Sequence, residues 1–302
     1  MAHTILRAGC KVNLTLDITG RRADGMHEIR SLFWPVREPH DDLILKPGEP
    51  GAGIRVRCAR PDVDADNNTL TKAWQIFREM AGEAPDLQVL LHKGIPSGAG
   101  LGGGSADAAV LLGWMNSQAR RPLSQEKLAK AALATGADVP FFLLNTPCFA
   151  EGVGERLTPI PELAQAMRGW TLLILCPAIH VPTSAAYAAW DAAQAASGAE
   201  AEGDLTTDAG PDTNSPSHRD SVSAPGLPFC PQNAFEPVVF KKFPELAELK
   251  ARLLVGGAAA AVMSGSGSSL CGLFAPGMEE TCTALAANFE AEDITVYVNP
   301  VV

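Results

Sequence analysis

The glycine-rich stretch from Pro96 to Ala109, PSGAGLGGGSADAA, constrains the fold of this chain more than any other segment. The apolar segment DLQVLLHKGI precedes it with the pattern of a strand, and residues 105–116 follow it with helical spacing. A flexible linker would have polar flanks. The apolar flanks therefore predict a turn that joins a buried strand to a helix.

Two familiar nucleotide-binding turns fit this stretch poorly. Gly98, Gly100 and Gly103 match G-x-G-x-x-G, but a dinucleotide-binding turn needs a second strand ending in Asp or Glu about twenty residues later. The sequence at that distance, LSQEKLAKAA, is helical in pattern. A Walker loop ends in G-K-[ST], and no lysine follows these glycines. The remaining interpretation is an anion cradle of another type, in which glycine N–H groups and the start of a helix face a nucleotide triphosphate.

Composition limits the possible partners and location of the protein. The formal net charge of -10 argues against general binding to nucleic acid or to anionic membranes, although a local basic pocket could still hold an anionic small molecule. The seven cysteines form no C-x-x-C pair, which favours free thiols in a reducing compartment. The N-terminus lacks the apolar core of a signal peptide, and the longest apolar run, WTLLILCPAIHV, is short for a membrane span. We expect a cytoplasmic monomer or weak homodimer that binds no nucleic acid and no membrane.

The order of strand and helix patterns predicts an α+β protein of two lobes. Its 302 residues approach the upper limit for one hydrophobic core, and we place the lobes at 1–165 and 166–302. The segment DVPFFLL is predicted as a short strand, and residues 183–195 as a helix. Residues 197–226 are small, polar and acidic, which predicts a disordered insertion within the second lobe.

Several spaced motifs resemble the GHMP small-molecule kinases, a superfamily named for galactokinase, homoserine kinase, mevalonate kinase and phosphomevalonate kinase. The glycine run is similar to their phosphate loop, and SGSGSSL, residues 264–270, is similar to their third motif. AGCKVNLTLDITGRRADGMHEIRSLF, residues 8–33, resembles the branch that phosphorylates 4-diphosphocytidyl-2-C-methyl-D-erythritol. TGADVPFFL, AEGVGE and, more loosely, QNAFEP also resemble that branch.

The resemblance implies a fold and a reaction. The fold is a GHMP kinase fold, with an N-terminal lobe like ribosomal protein S5 and a C-terminal ferredoxin-like lobe around a cleft. The reaction is ATP-dependent phosphorylation of the 2-hydroxyl of the cytidylyl substrate, a step of the non-mevalonate isoprenoid pathway. The alternatives are a GHMP kinase for another small alcohol and a nucleotide-binding regulator without catalysis. Retention of both Lys11 and Asp138 speaks against the regulator, because a binding protein needs neither.

Asp138 and Lys11 are the candidate catalytic residues. Asp138 matches the family's catalytic aspartate and precedes an apolar segment; the alternative is an aspartate that caps a helix or turn. Lys11 lies in an apolar strand, where an ammonium is costly unless it is paired, and the alternative is an edge-strand lysine facing water. Pairing with Asp138 would favour the carboxylate form and stabilise charge on the attacking oxygen. Asn13 lies two residues further on the same strand face and could hold the substrate.

The resemblance also suggests where the rest of the substrate lies. His27 matches the histidine that hydrogen-bonds cytosine, and Tyr187 matches an aromatic residue that covers one face of the base. Met26 stands where the family commonly has the other stacking aromatic, and its thioether could still pack on the base. We assign the remaining contacts to Thr183, and to Gly265 and Ser266 in the second glycine turn, for which a plain hairpin is the alternative.

ATP and Mg2+ are the implied cofactors. The chemistry of phosphoryl transfer requires the β- and γ-phosphate oxygens to be bridged by a cation, and Ser105 is the one plausible ligand in the loop. Lys93 and Asn68 match positions near the nucleotide, although a solvated lysine and a helix cap explain them equally well. The predicted ATP-binding residues are Pro96, Ser97, Gly98, Ala99, Gly100, Leu101, Gly102, Gly103, Gly104, Ser105, Lys93 and Asn68.

Overall fold

Two sheets with helices on their outer sides build the protein. The computed structural model describes residues 3–201 and 226–302, with side chains described up to residue 196 in the first range. No helix in these ranges combines the length and the apolar character that crossing a bilayer requires. Most of the predicted insertion at 197–226 therefore lies outside the described residues.

The first sheet carries the N-terminal half of the chain. Its long strands β1 and β2 form an antiparallel hairpin, and the strand order is β3-β4-β2-β1-β8, with β5 paired to β2 and β6 paired to β5. The strands are β1 (Thr4–Arg21), β2 (His27–Pro47), β3 (Ile54–Cys58), β4 (Leu87–His92), β5 (Cys148–Gly152), β6 (Arg156–Pro159) and β8 (Gln232–Asn233). The turn between β1 and β2 contains Asp24-Gly25, a dipeptide typical of tight hairpin turns, and Gly25 has a φ of 86°.

The helices of the first half cover one face of this sheet. They are α1 (Thr69–Ala81), α2 (Gly103–Gln118), α3 (Gln125–Thr135) and α4 (Val139–Leu144), and α5 (Pro161–Ala166) leads into the second sheet. A buried apolar cluster that includes Leu43, Phe77 and Leu111 joins the sheet to α1 and α2. Ser124 caps α3 and accepts a hydrogen bond from the backbone N–H of Lys127, as serine commonly does at a helix start.

The second sheet has four antiparallel strands in the order β11-β7-β10-β9. Its elements are β7 (Thr171–Cys176), α6 (Thr183–Ala201), α7 (Glu236–Lys242), α8 (Pro244–Val255), β9 (Ala260–Met263), β10 (Leu270–Phe274), α9 (Glu279–Glu290) and β11 (Thr295–Pro300). Read as strands one to four, this is the 4-1-3-2 order of a ferredoxin-like βαββαβ unit. The predicted two-lobed α+β architecture is confirmed, and the boundary after residue 165 stays a prediction.

Two local predictions were wrong. The segment DVPFFLL is not a strand, because Val139–Leu144 forms the short helix α4 with a proline in its first turn, where the missing N–H costs nothing. A short apolar run is consistent with either structure, and here the preference of proline for a helix start prevails. The helix that begins at Thr183 continues to Ala201, five residues into the segment predicted as a disordered insertion. Its many alanines, the best helix formers, carry it past Gly198.

Candidate active site

Lys11 and Asp138 face each other at the junction of β1 and α4. The Lys11 Nζ lies 3.6 Å from the Asp138 Oδ2, and the lysine side chain is 7% exposed while the aspartate side chain is 30% exposed. Asp138 occupies the N-cap position of α4, yet its carboxylate makes no capping hydrogen bond. The carboxylate is therefore available for an ion pair and for contact with a molecule in the cleft.

A buried chain of hydrogen bonds holds the Lys11 ammonium. Nζ donates to the Asn13 Oδ1 at 2.7 Å, and the Asn13 Nδ2 donates to the Ser31 Oγ at 2.8 Å. Nζ also lies 4.2 Å from the centre of the Phe33 ring, a cation–π distance. Asn13 is almost fully buried and both ends of its amide are used inside the protein, so the structure shows it as a support for Lys11. Sequence reasoning missed Ser31, which approaches Asn13 only across the hairpin.

The glycine loop wraps around the start of α2. Gly98, Gly100 and Gly102 have φ values of 69°, 77° and 73°, in the left-handed region that favours glycine. The helix begins at Gly103, and its first N–H groups lack carbonyl partners within the helix, so its N-terminus suits an anion. The Lys11 backbone N–H donates to the Leu101 carbonyl oxygen at 3.0 Å, which ties the loop to β1.

The second glycine turn, residues 264–269, packs against the first loop. The Ser264 Oγ donates to the Gly100 carbonyl oxygen at 3.1 Å and accepts from the Asn13 N–H at 3.1 Å. The Asn233 Nδ2 donates to the carbonyl oxygens of Met263 and Gly265, which fixes the turn from behind. The turn is therefore more than a hairpin connection, because it joins the two sheets at the site.

Thr183 and Ser266 meet at the rim of this turn. Their hydroxyl oxygens are 2.9 Å apart, where α6 begins. His180, just before α6, packs on the phosphate loop, since a Cβ added at Gly98 would lie 2.8 Å from the His180 Nδ1. The residues predicted from the third motif and from α6 are thus brought together with the glycine loop.

His27 and Tyr187 lie together on the same side of the cleft. Their rings stack with centroids 4.4 Å apart and planes 20° from parallel. Burial, and next the charge of Asp138, raise the pKa of Tyr187, so this cluster lies near Asp138. Met26, at the hairpin tip, is 52% exposed. The His27 Nε2 contacts the Asp191 carboxylate, a residue that the sequence reasoning missed although it follows Tyr187 by one helical turn.

Two of the predicted nucleotide residues have protein partners. The Asn68 Oδ1 accepts from the N–H groups of Leu70 and Thr71, so Asn68 caps α1. The Lys93 ammonium is buried between the carboxylates of Asp41 and Asp107. Their contact with nucleotide stays a prediction.

Ser97 and Ser105 bring oxygen donors to the loop. Hydrogen bonding from Arg60, and next from Ser97, lowers the pKa of Asp62 to about 2, which places the Ser97 side chain near a carboxylate. A Cβ on Gly136, two residues before Asp138, would lie 3.9 Å from the Ser105 Oγ. The described residues contain no cluster of three or more His, Cys, Asp or Glu side chains that could hold a metal by themselves. Mg2+ needs no such cluster, since it commonly binds one or two protein oxygens together with phosphates and waters, and the Ser105 hydroxyl fits that need.

Comparison with known proteins agrees with this geometry. The family model "GHMP kinases N terminal domain" matches residues 68–146, and "GHMP kinases C terminal" matches residues 225–291. The chain is 47% identical over 292 residues to a 4-diphosphocytidyl-2-C-methyl-D-erythritol kinase of Nitratidesulfovibrio vulgaris, covering 97% of this chain and 96% of the relative. It is 44% identical to the enzyme of the same name from Lawsonia intracellularis, covering 89% and 88%.

Solved structures show the same likeness. A crystal structure of 4-(cytidine 5'-diphospho)-2C-methyl-D-erythritol kinase superposes with a TM-score of 0.72 at 30% identity, covering 98% of each chain. A homoserine kinase from Cytophaga hutchinsonii shares the fold, with a TM-score of 0.66 at 19% identity, covering 98% of this chain and 94% of that one. The protein is thus an ATP-dependent phosphotransferase, and it belongs to the 4-diphosphocytidyl-2-C-methyl-D-erythritol kinase family of the GHMP kinases.

Proposed function

We propose that the chain transfers the γ-phosphoryl group of ATP to the 2-hydroxyl of 4-diphosphocytidyl-2-C-methyl-D-erythritol, with Asp138 as the base. The observation that carries the proposal is the Asp138 carboxylate, which is partly exposed, caps no helix N–H and lies 3.6 Å from a buried ammonium. The names of the similar enzymes support the choice of substrate. The protein acts in isoprenoid precursor synthesis.

Asp138 accepts the proton of the substrate hydroxyl as the oxygen attacks phosphorus. Lys11 favours the charged carboxylate and then stabilises the negative charge that develops on the attacking oxygen. Asn13 keeps the ammonium in place, so little reorganisation is needed during the reaction. Burial of the ammonium strengthens its electrostatic effect on the reacting atoms.

The glycine loop receives the triphosphate. The left-handed backbone at Gly98, Gly100 and Gly102 shapes the loop, and the N-terminus of α2 adds partial positive charge. The Ser105 hydroxyl would supply one oxygen to Mg2+, and the cation would neutralise charge on the phosphates.

The cytidine end of the substrate lies at the hairpin tip and α6. His27 hydrogen-bonds the base, with Met26 and Tyr187 beside it, and Thr183 and Ser266 contact the methylerythritol or diphosphate portion. The pairing of His27 with Asp191 supports this placement, because it joins the hairpin of the first lobe to α6 of the second. Thr183 pairs with Ser266 within the second lobe, where the second glycine turn meets the start of α6.

The test is ATP-dependent release of ADP by the purified protein. The cytidylyl compound is offered beside mevalonate, homoserine and galactose. Turnover of the cytidylyl compound alone is expected, whereas turnover of another alcohol would replace the substrate and keep the kinase. No turnover of any of them, with ATP still bound, would favour a regulator.

Asp138→Asn tests the base. We expect kcat to fall by about 100- to 10,000-fold, the range for losing a general base, with ATP affinity within threefold of wild type. Glu126→Gln is the matched control, because it neutralises an exposed carboxylate paired with Lys130 on α3 and should change nothing. Activity of Asp138→Asn within tenfold of wild type would rule out the assigned role.

A further inference from the structure

Asp191 makes a short contact with His27 across the two lobes. His27 is the first residue of β2, and Asp191 lies near the middle of α6. The His27 Nε2 and the Asp191 Oδ1 are 2.7 Å apart, and the imidazole side chain is 8% exposed. The other carboxylate oxygen of Asp191 lies 3.4 Å from an Arg21 nitrogen. The carboxylate thus has a histidine on one oxygen and an exposed arginine on the other.

This contact determines which ring nitrogen carries the proton. An ionised carboxylate only accepts hydrogen bonds, so the His27 Nε2 must be the donor. In the neutral imidazole the proton then lies on Nε2, and Nδ1 keeps its lone pair. A histidine held in this way by a carboxylate presents a fixed acceptor at the opposite side of the ring, as in many sites where the partner selects the tautomer.

The other ring nitrogen of His27, Nδ1, has no partner within the described part of the protein. Among the described residues it makes no hydrogen bond, and the Asp107 Oδ1 is the buried side-chain polar atom there that lacks a partner. Since Nδ1 has no protein partner and is not among such buried atoms, it must reach solvent. A ligand in the cleft can therefore approach this nitrogen.

Two aromatic residues of α6 hold the plane of the ring. Tyr187 stacks on His27, and Trp190 meets it edge to face at 5.9 Å between ring centroids. Rotation of the ring by half a turn would break the hydrogen bond with Asp191. Position, plane and tautomer of His27 are all set from one helix.

We propose that Asp191 is a positioning residue that fixes His27 Nδ1 as a hydrogen-bond acceptor, so that the site selects a pyrimidine with an amino group over one with a carbonyl group at the same position. The inference rests on the proposed function, because it takes the cytidine end of the substrate to lie at His27. Cytosine donates from its exocyclic amine, whereas uracil presents a second acceptor that would face the Nδ1 lone pair. Asp191 acts on specificity through His27, without contact with the reacting atoms.

The first test compares binding of CDP and UDP by calorimetry, together with turnover of the cytidylyl substrate and its uridylyl analogue. The wild type is expected to prefer the cytidine compounds at least tenfold in both measurements. Asp191→Asn should reduce this preference at least tenfold, or abolish it, because its amide can also donate to Nε2 and permit the other tautomer. Asp191→Glu should restore part of the preference, and kcat with saturating cytidylyl substrate should stay within threefold.

Arg21→Gln is the matched control. It removes the ion pair of Asp191 with Arg21 and leaves the contact with His27, so preference should stay at the wild-type level. Loss of preference in Arg21→Gln as large as in Asp191→Asn would mean that Asp191 only tethers the hairpin to α6. Melting curves of all variants identify any that fail to fold.

The second test determines the tautomer of His27 by a measurement that does not depend on enzyme activity. Long-range nitrogen–proton NMR of the ligand-free protein, with the His27 signals assigned by their loss in His27→Gln, should show protonated Nε2 and unprotonated Nδ1. Protonation of both nitrogens, or of Nδ1 alone, would overturn the proposal. So would equal binding of CDP and UDP by the wild type. If the wild type binds CDP selectively but turns over no cytidylyl substrate, the proposed function fails while the assignment of Asp191 stands.

Discussion

The contact between the two glycine turns can be tested with a matched pair of glycine substitutions. Gly100 and Gly82 have nearly the same φ, 77° and 78°. A Cβ at Gly100 would lie 2.2 Å from the Ser264 carbonyl oxygen, whereas a Cβ at Gly82 would meet nothing within 4 Å. The variants Gly100→Ala and Gly82→Ala therefore share the backbone strain of alanine and differ in the collision.

The magnitudes follow from these two contributions. Left-handed backbone costs a residue with a Cβ about 1–2 kcal/mol. Relief of the collision at Gly100 requires the two backbones to separate, and forced overpacking typically costs about 1–3 kcal/mol more. For a chain of this length, about 1 kcal/mol corresponds to a shift of about 1.6 °C in melting temperature. We expect Gly82→Ala to lower the melting temperature by about 2–3 °C and Gly100→Ala by about 3–8 °C.

Gly100→Ala and Gly82→Ala should differ more in activity than in stability. Gly82 ends α1, whereas Asn68 and Thr69 begin this helix about 20 Å away, near the phosphate loop. Gly100→Ala displaces the loop, so KM for ATP should rise at least tenfold, while Gly82→Ala should leave KM unchanged. Scanning calorimetry and ADP release measure both effects. Equal melting shifts, with an unchanged KM for ATP in Gly100→Ala, would refute the view that the second turn supports the loop.

Two further predictions concern buried charges. Lys11→Met should lower kcat by about 100- to 1,000-fold, the range for losing one electrostatic donor. The melting temperature should change by only a few degrees, because methionine fills the same space against Phe33. Kinetics and calorimetry on one preparation check both effects. Burial raises the pKa of the Asp107 carboxyl to about 7, so the folded protein keeps a proton that the unfolded chain releases near its ordinary pKa of 3.8. The stability that this proton contributes is present below the ordinary pKa and is lost as the pH rises to about 7. The melting temperature of the wild type minus that of Asp107→Asn should therefore fall between pH 4 and pH 7. A difference that stays constant over this range would contradict the raised pKa of Asp107.

Features that depend on neighbouring residues could be predicted from the sequence. The hairpin at Asp24-Gly25, the cap at Ser124 and the turn at the glycine run each follow from a few adjacent side chains and their backbone preferences. The need of Lys11 for a counter-charge follows from its place in an apolar strand, whereas the choice of Asp138 as its partner followed from the family resemblance. The error at α4 arose because six apolar residues carry no clear period.

Contacts between distant segments could not be predicted in the same way. Asn13 was expected to touch substrate because it shares a strand face with Lys11, and that neighbourhood is correct. What the pattern could not show is that Ser31, on the adjacent strand, accepts from the other end of the amide. Register across the hairpin decides this contact, and bulges in β1 shift that register.

Lys93 lies near the glycine loop as the sequence predicts, but its interaction partners differ from the predicted ones. Its position before the glycine run suggests a cation for the phosphates, and the ammonium does lie behind the loop, since a Cβ on Gly103 would be 3.2 Å from it. Its partners, however, are two buried carboxylates, Asp41 from β2 and Asp107 from α2. Asp41 also accepts from the backbone N–H groups of Gly94 and Ile95. The cluster therefore fixes the backbone that enters the loop, and the positive field for the phosphates must come mainly from the loop N–H groups and the start of α2, because the Lys93 charge is already neutralised.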